Sequence, residues 1–425
     1  MFLVAGVEAA EWKTEPSLFL RTQYNDNVSM RAESDDPQGS TGFTLDPRVK
    51  FVGVEQRLWD LSLDARGKIT KFQDVEDADS ENIFLNFDSG RQTERSEWRL
   101  SASYEDNSNF DTDFDTQRPD AGLIDDRTQS ITTSISPSFN WSMSENSQIR
   151  FSINATDVKY EEVLDLNYKD YKNNSAQFVS YWLPQENHQL GFTVNYSEYD
   201  SPDASFSYDQ SVIQVDYTYT INPTSDISLS LGGRKLESVI GNAVTGCEAI
   251  LRQTGESLST EPIENFADGV CPASNLFIDV SPVLGELENS DEGAVTNFSY
   301  NNKTETIEHG FSGGRTVQPS SFGSAQEVWQ ATYKFSIKNT ERFTTKLLID
   351  AYKTEAITAA LNSATNDNKR YRFEPSISYK LNKNWNIDVL YRYINLDRDD
   401  ADERSVSNSL FVNLYLHWPR LTTTY

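Results

Sequence analysis

Six arginine residues carry the clearest chemical signal of this sequence, because each falls on the polar side of an alternating apolar and polar pattern. They are Arg48, Arg66, Arg99, Arg234, Arg372 and Arg392. A guanidinium group stays charged and pairs bidentately with carboxylate or phosphate. Arginines spread over the polar faces of many segments therefore predict weak, replaceable binding sites along an anion-conducting path.

The stretch from Thr128 to Tyr160 shows the kind of element that positions such side chains. Apolar residues alternate with small polar residues from Ile131 to Met143, and the alternation resumes at Ile149 after a short polar turn. Because successive side chains of a β-strand point to opposite faces, this pattern predicts a hairpin with one apolar and one polar face. Each strand exceeds the roughly 9–11 residues that a bilayer core requires. The stretch predicts an all-β, transmembrane antiparallel up-and-down barrel, apolar outside and polar inside.

Composition supports this fold and excludes other classes. The chain has 425 residues, with 37 Lys and Arg against 65 Asp and Glu, and its net charge of -28 disfavours nucleic acid as a partner. The mean hydropathy is -0.60, and no run of apolar residues is long enough for a transmembrane helix. We predict a remnant of a secretory signal peptide at 1–11 and a single barrel domain at 12–425.

Eighteen strands are predicted, or sixteen if one hairpin is wrong. Short turns alternate strictly with longer polar loops, as in bacterial outer-membrane barrels, where the short turns are periplasmic. The outer membrane is therefore the expected location, with its lipid and lipopolysaccharide as partners. The predicted spans are 14–25, 42–54, 57–72, 81–90, 95–106, 129–143, 148–161, 171–183, 188–200, 207–221, 226–239, 293–301, 304–316, 325–338, 342–354, 369–381, 385–396 and 405–419.

Tryptophan provides an independent test of this topology. All of the tryptophans except Trp329 lie beside a short turn or a chain terminus. Aromatic rings prefer the interface between membrane and water, so this sorting predicts a girdle on the periplasmic side.

The two cysteines, Cys247 and Cys271, both lie in the longest predicted external loop, 238–292. A cysteine pair confined to one exported loop indicates a disulfide formed in an oxidising compartment. Two free thiols are the alternative.

The predicted inner face carries more Lys and Arg than Asp and Glu, although the chain as a whole is strongly acidic. A cationic channel concentrates anions. The alternative is that these charges are cross-strand ion pairs that fill space, as in many barrel interiors.

Signals for catalysis, cofactors or metal are weak. The three histidines, His188, His309 and His417, fall in different elements, and no arrangement of Ser or Asp forms a plausible triad. We therefore expect neither an enzyme nor a cofactor. The Asp-rich loop 105–128 begins with calcium-loop spacing but lacks the required Gly and Glu, which favours a solvated acidic loop without a metal site.

Three predicted strands share a repeat of Pro, alternating apolar residues and a turn. They read DPRVKFVGV from Asp46, SPSFNWSMS from Ser136 and EPSISYKLN from Glu374. Together with the segment GFSGGRTVQPSSFGSAQEVWQATYKFSIKNTERF from Gly310, this layout resembles the outer-membrane β-barrel porins encoded beside exopolysaccharide assembly clusters. The pattern departs from many barrels at its end, where PRLTTTY follows the apparent closing residue Trp418.

The resemblance implies an 18-stranded barrel that exports a polysaccharide together with a periplasmic polysaccharide-export protein. The alternative is a general or small-solute diffusion porin, and a structural anchor with a plugged lumen is a third reading. A barrel of 16–18 strands leaves an aqueous channel in either of the first two cases, so strand number does not separate them.

Overall fold

The computed structural model describes residues 11–34, 36–55, 59–108, 128–161, 169–251, 257–262, 277–319, 325–357, 368–398, 403–419 and 421–424. Twenty antiparallel strands lie within these ranges, and all but two short ones, β12 and β20, are staves of one closed barrel. The predicted count of eighteen is therefore confirmed.

The strands follow one another around the barrel in chain order. They are β1 (Glu11–Asn25), β2 (Ser40–Glu55), β3 (Trp59–Phe72), β4 (Ser80–Gln92), β5 (Ser96–Ser108), β6 (Gln129–Ser144), β7 (Ser147–Tyr160), β8 (Tyr171–Gln185), β9 (His188–Ser201), β10 (Phe206–Asn222), β11 (Ser225–Leu251), β12 (Ser257–Pro262), β13 (Phe277–Lys303), β14 (Ile307–Pro319), β15 (Ala325–Lys338), β16 (Phe343–Ala356), β17 (Asn368–Lys380), β18 (Trp385–Arg398), β19 (Glu403–His417) and β20 (Leu421–Thr424).

Closure occurs at β1, which pairs with β2 on one side and with β19 on the other. Two single-turn 3-10 helices, Glu76–Ala78 and Pro202–Ala204, lie in the connections after β3 and β9. No helix in the described part of the chain is long and apolar enough to cross a membrane.

An apolar belt covers the outside of the barrel. Large hydrophobic residues on alternate positions of successive strands, such as Ile131, Phe151 and Val215, are exposed rather than buried. A closed sheet leaves no unpaired edge in lipid, and such a belt matches the hydrocarbon core. The chain is accordingly an outer-membrane protein.

The predicted tryptophan girdle is present at the end of the barrel that carries the short turns. Trp12 and Trp59 lie with their ring centroids 6.2 Å apart, and Trp98 lies 4.3 Å from the ring of Phe139. Exposed rings at strand ends mark the interface between membrane and water, and the short turns at this end identify it as periplasmic.

Strand pairing extends far into the segment 238–292, which the sequence predicts as a loop. β11 and β13 stay paired from Ser225 opposite Asn302 to Leu251 opposite Phe277, and β12 adds to β11. Cys247 lies within β11, whereas Cys271 falls outside the described residues, so the disulfide stays a prediction. The predicted signal remnant also falls outside them, apart from residue 11.

The shared proline repeat coincides with gaps in the hydrogen-bond ladder. Pairing of β2 with β3 stops at Leu45 and resumes at Arg48, so Pro47 lies in the gap, and gaps of the same length contain Pro137 and Pro375. Proline has no N–H to donate, which explains the missing ladder bonds. On its other side each proline stays in register with the neighbouring strand.

Side chains bridge these gaps on the inner face. The residue before each proline points inward and bonds across the interruption. Glu374 accepts a bond of 2.6 Å from Arg392 Nε, and Asp46 accepts one of 2.8 Å from Arg66 Nε. Ser136 makes the same kind of contact with an asparagine on β7. The repeat thus replaces backbone bonds with polar side-chain bonds in the lumen.

The closing strand continues past Trp418 in two pieces. β19 ends at His417, β20 begins at Leu421, and both pair with β1. Between them the backbone N–H of Trp418 donates to the carbonyl oxygen of Pro16, at 3.2 Å. The residues after Trp418 therefore continue the pairing with β1.

Candidate functional site

The lumen is the candidate site, because strand alternation about the apolar belt places all six predicted arginines on the inner face. The structure distributes these side chains over four separate places. One place holds Arg48 with Arg66, one holds Arg99, one holds Arg234, and one holds Arg372 near Arg392.

Arg48 and Arg66 lie directly opposite each other on β2 and β3 and form crossed ion pairs. Arg48 Nε donates to both carboxylate oxygens of Asp64, at 2.8 and 2.9 Å, and Arg66 Nε donates in the same way to Asp46. These pairs fit the reading of lumen charges as cross-strand bracing. Both arginine side chains nevertheless remain well exposed to the lumen.

Arg99 lies between two carboxylates. Its Nη2 is 2.9 Å from Glu97, and its Nη1 is 3.7 Å from Asp60. Two acids against one guanidinium leave a negative local balance. This part of the lumen therefore does not favour anions.

Arg234 is enclosed, with only 3% of its side chain exposed. It contacts Asp291 at 2.5 Å and Glu327 at 3.3 Å. Glu327 also accepts two bonds from Arg315, at 2.7 and 2.6 Å. The cluster ties β11, β13, β14 and β15 together, so Arg234 is placed to brace the wall rather than to contact a solute.

Glu327→Gln is expected to destabilise the barrel by roughly 3 kcal/mol, because removing one partner of a buried pair leaves charges uncompensated. The measurement is the temperature at which the folded band disappears on gels of unheated samples. Glu355→Gln is the matched control, since Glu355 pairs with Lys353 at the surface and such pairs contribute about 1 kcal/mol or less. Equal losses in the two variants would contradict a bracing role for Glu327.

Arg21 on β1 and Arg392 on β18 come from opposite ends of the chain and contact the same aromatic ring. The guanidinium carbons of Arg21 and Arg392 are 4.7 and 4.9 Å from the ring centroid of Phe411. Arg21 Nε also donates to Asn413 Oδ1, at 2.8 Å. A ring face attracts cations, so Phe411 holds two positive groups close together. Arg21 was not among the predicted residues, although the alternation of β1 places it inward.

A cavity of about 270 Å³ opens beside these groups. Its lining contains three cations, Arg21, Lys68 and Arg392, and no carboxylate. The other lining residues are mostly neutral and polar, and Val28 and Ala78 cover its external side. Glu374 pairs with Arg392 from outside this lining, at 2.6 Å. In a chain with a net charge of -28, a lining that holds three cations and no carboxylate suits an anion.

The external connection 26–39 forms the cover, because its described residues, 26–34 and 36–39, fold into the barrel mouth. Val28, Met30 and Ala32 are almost completely buried. Met30 packs against Ile394 and Leu396 on the inner face of β18. Burial of apolar side chains drives this inward fold, as each contributes roughly 1.5–3 kcal/mol when fully buried.

Asn27 fixes the cover to the barrel wall. Its Nδ2 donates to the carbonyl oxygens of Arg31 and Val406, at 2.9 and 3.0 Å, and its Oδ1 accepts from the Arg31 N–H at 3.0 Å. Asn27 is itself buried, so losing these bonds would leave polar groups unsatisfied.

A second and larger cavity, of about 590 Å³, lies along the wall formed by β11 and β13 to β17. Its cations are Lys334 and Arg372, and its lining again contains no carboxylate. Hydroxyl and amide side chains make up most of the remaining lining, namely Ser228, Ser230, Asn297, Ser299, Ser312, Thr316, Gln318, Gln330 and Thr332.

An apolar cluster narrows the mouth from the arc facing the cover. Tyr199, Phe206, Tyr208 and Leu236 point inward from β9, β10 and β11 and are buried. Apolar constrictions oppose the passage of hydrated ions and large polar solutes. The mouth is therefore restricted on two arcs by buried apolar groups.

Two of the three histidines, His188 and His309, pack with aromatic rings. His188 Nδ1 is 2.7 Å from the hydroxyl of Tyr217, and the ring of His309 meets Tyr300 edge-on. Within the described ranges, no group of three or more His, Cys, Asp or Glu residues is arranged to hold a metal ion. Most of the Asp-rich loop 105–128 falls outside those ranges.

The closed barrel, its apolar belt and its polar, partly cationic lumen define an outer-membrane β-barrel protein. Solved structures similar to it include Pseudomonas aeruginosa OccK2 (OpdF), with a TM-score of 0.46 and 11% identity over 95% of this chain and 98% of that one. Acinetobacter baumannii OccAB2 matches with a TM-score of 0.45 and 11% identity over 95% and 98%. The ferric-catecholate import receptor Fiu of E. coli matches with a TM-score of 0.45 and 11% identity over 95% and 81%.

No family model and no curated protein matches the chain. The structural matches share the barrel fold at low identity, and nothing in them ties the chain to exopolysaccharide export clusters. The function of this chain therefore has to follow from its own lumen.

Proposed function

We propose that this protein is a diffusion pore of the outer membrane for small hydroxylated anions. The observation that carries the proposal is the covered cavity whose lining holds Arg21, Lys68 and Arg392 without a carboxylate. Such a site attracts an anion by charge and by guanidinium hydrogen bonds. Because it opens to the lumen, a bound anion can leave again, which is the condition for conduction.

The second cavity supports the hydroxylated character of the solute. Its serine, threonine and amide groups offer donors and acceptors that match sugar-like hydroxyls. Arg372 and Lys334 contribute charge at the same wall. A solute with one acidic group and several hydroxyls can therefore exchange partners along the lumen without leaving a polar group unsatisfied.

The dimensions of the mouth and of the covered cavity favour a small solute over a polymer. The inward cover at 26–39 and the apolar cluster around Tyr208 restrict the described mouth, and the covered cavity holds only about 270 Å³. A polysaccharide conduit needs a continuous polar path for many sugar units at once. Export of an exopolysaccharide, which the sequence resemblance implies, therefore has less support than diffusion of small solutes.

Planar bilayers provide the direct test. Under a potassium chloride gradient we expect a reversal potential that shows preference for chloride, because the linings of both cavities hold cations and no carboxylate. Millimolar gluconate should interrupt the current, whereas sorbitol, a neutral polyol of nearly the same size, should not. Preference for potassium, or equal effects of gluconate and sorbitol, would contradict the proposal. In a deletion strain, reduced surface polysaccharide would instead favour export.

A further inference from the structure

One row of residues on the lipid-facing side of the barrel interrupts the apolar belt with a single cation. Trp59, Arg91, Trp98, Phe139 and Phe151 lie directly opposite one another across β3 to β7. Arg91 is thus flanked by a tryptophan on each side. The row lies beside the short turn between β4 and β5, at the periplasmic end of the barrel.

Arg91 lacks an acidic protein partner at this place. Its side chain is exposed, and no ion pair joins it to a carboxylate among the residues that the structure describes. An arginine on the lipid face destabilises a barrel strongly at the bilayer midplane but only slightly near the interface. At this depth the natural counter-charge is the phosphate of a lipid headgroup.

A groove of about 860 Å³ runs from Arg91 toward the membrane core. The next lipid-facing row toward the membrane core alternates small and large side chains. In this row Ser89, Leu100 and Pro137 lie in register across β4, β5 and β6. The small serine and the flat proline leave a depression, and Ile153 forms part of its far wall. Apart from Arg91, the outward side chains of the groove are almost entirely apolar, which suits an acyl chain.

We propose that this groove binds one phospholipid of the periplasmic leaflet. The phosphate pairs with the Arg91 guanidinium between the two indole rings, and one acyl chain lies over Leu100, Pro137 and Ile153. Charge complementarity favours this occupant over a second copy of the chain, which would have to bury Arg91 against an apolar belt. The periplasmic depth separates it from lipopolysaccharide, whose phosphates lie at the opposite surface.

The test uses the full chain in mild detergent, titrated with dioleoyl phosphatidylglycerol and analysed by native mass spectrometry. We expect one tightly retained lipid, about tenfold weaker retention in Arg91→Gln, and no change in Arg342→Gln, which removes an exposed arginine from another periplasmic turn. Ser89→Trp should also weaken retention with Arg91 intact, because the ring fills the groove.

Dioleoylglycerol has the same acyl chains but no phosphate. It should bind to the wild type no more tightly than it binds to Arg91→Gln. Equal retention by the wild type and both groove variants would overturn the proposal. It would also be overturned by a dimer that excludes lipid and is lost in Ser89→Trp, since that result would make the groove an interface between copies. None of these outcomes depends on the ion selectivity of the lumen.

Discussion

Arg21→Gln is expected to lower the ratio of anion to cation permeability about fivefold. One positive charge within about 4 Å of a permeating ion changes its energy by about 1 kcal/mol in water and by more in a partly desolvated cavity. A difference of about 1 kcal/mol corresponds to roughly a fivefold change in an equilibrium constant at 25 °C. Arg21 lines the smaller cavity and lies 4.7 Å from the Phe411 ring that it shares with Arg392.

Adding Lys68→Gln should deepen the effect, because both residues line the same cavity. If the two charges act independently, the ratio of anion to cation permeability falls about twenty-fivefold. The measurement is the reversal potential in planar bilayers under a potassium chloride gradient. Barrel abundance in the outer membrane serves to show that the variants fold.

Arg21→Lys is the matched control. Lysine keeps the charge but has no planar fork, so chloride preference should persist while block by gluconate weakens. If Arg21→Lys and Arg21→Gln lose chloride preference equally, packing against Phe411 rather than charge is responsible. If neither changes it, the smaller cavity lies off the conducting path and the proposed role of Arg21 is wrong.

The sequence predicts the barrel well because the pattern of each strand follows a local rule. Alternation with a period of two places each side chain inside or outside, and one face of every strand must be apolar to meet lipid. The strand count, the topology and the periplasmic tryptophans therefore follow from residue order. The rule fails at 238–292, where β11 and β13 pair through several register shifts and their apolar residues, such as Val244 and Leu284, do not keep a period of two.

The lumen is less predictable, because the effect of an inward charge depends on its neighbours across strands. Arg99, Arg234 and Arg392 obey the same alternation, yet each of the first two lies between two carboxylates, whereas Arg392 pairs with Glu374 and also shares the Phe411 ring with Arg21. Those partners lie on other strands or at positions whose geometry alternation does not fix. Alternation does point to Arg21, but the shared contact with Phe411 joins residues from opposite ends of the chain.

The cover at 26–39 could not be predicted from alternation at all. Its sequence is polar and rich in turn-forming residues, which is typical of an external loop. Val28 packs against Val75 and Ala78 in the connection after β3, and Met30 packs against Ile394 and Leu396 on β18. Such a contact joins both ends of the chain and exists only once the barrel is closed.

Removing this cover should cause the largest change in conductance. We expect that replacing residues 27–38 with a short Gly-Ser linker raises single-channel conductance about twofold or more, because the cover restricts part of the mouth. Preference for chloride should fall at the same time. Water that enters the uncovered cavity raises the effective dielectric constant around Arg21 and Arg392, and each charge then acts more weakly.

Asn27→Ala gives a finer test of the same cover. The substitution removes three hydrogen bonds of a buried side chain, at a cost of about 1–3 kcal/mol for each polar group left unsatisfied. The cover should then open part of the time, seen as steps between the wild-type and the truncated conductance. Asn382→Ala is the control, because Asn382 accepts two backbone bonds in an exposed periplasmic turn and should leave conductance unchanged. A truncated pore with wild-type conductance would show that the cover at 26–39 does not restrict the path, and the proposed preference for small solutes would lose that support.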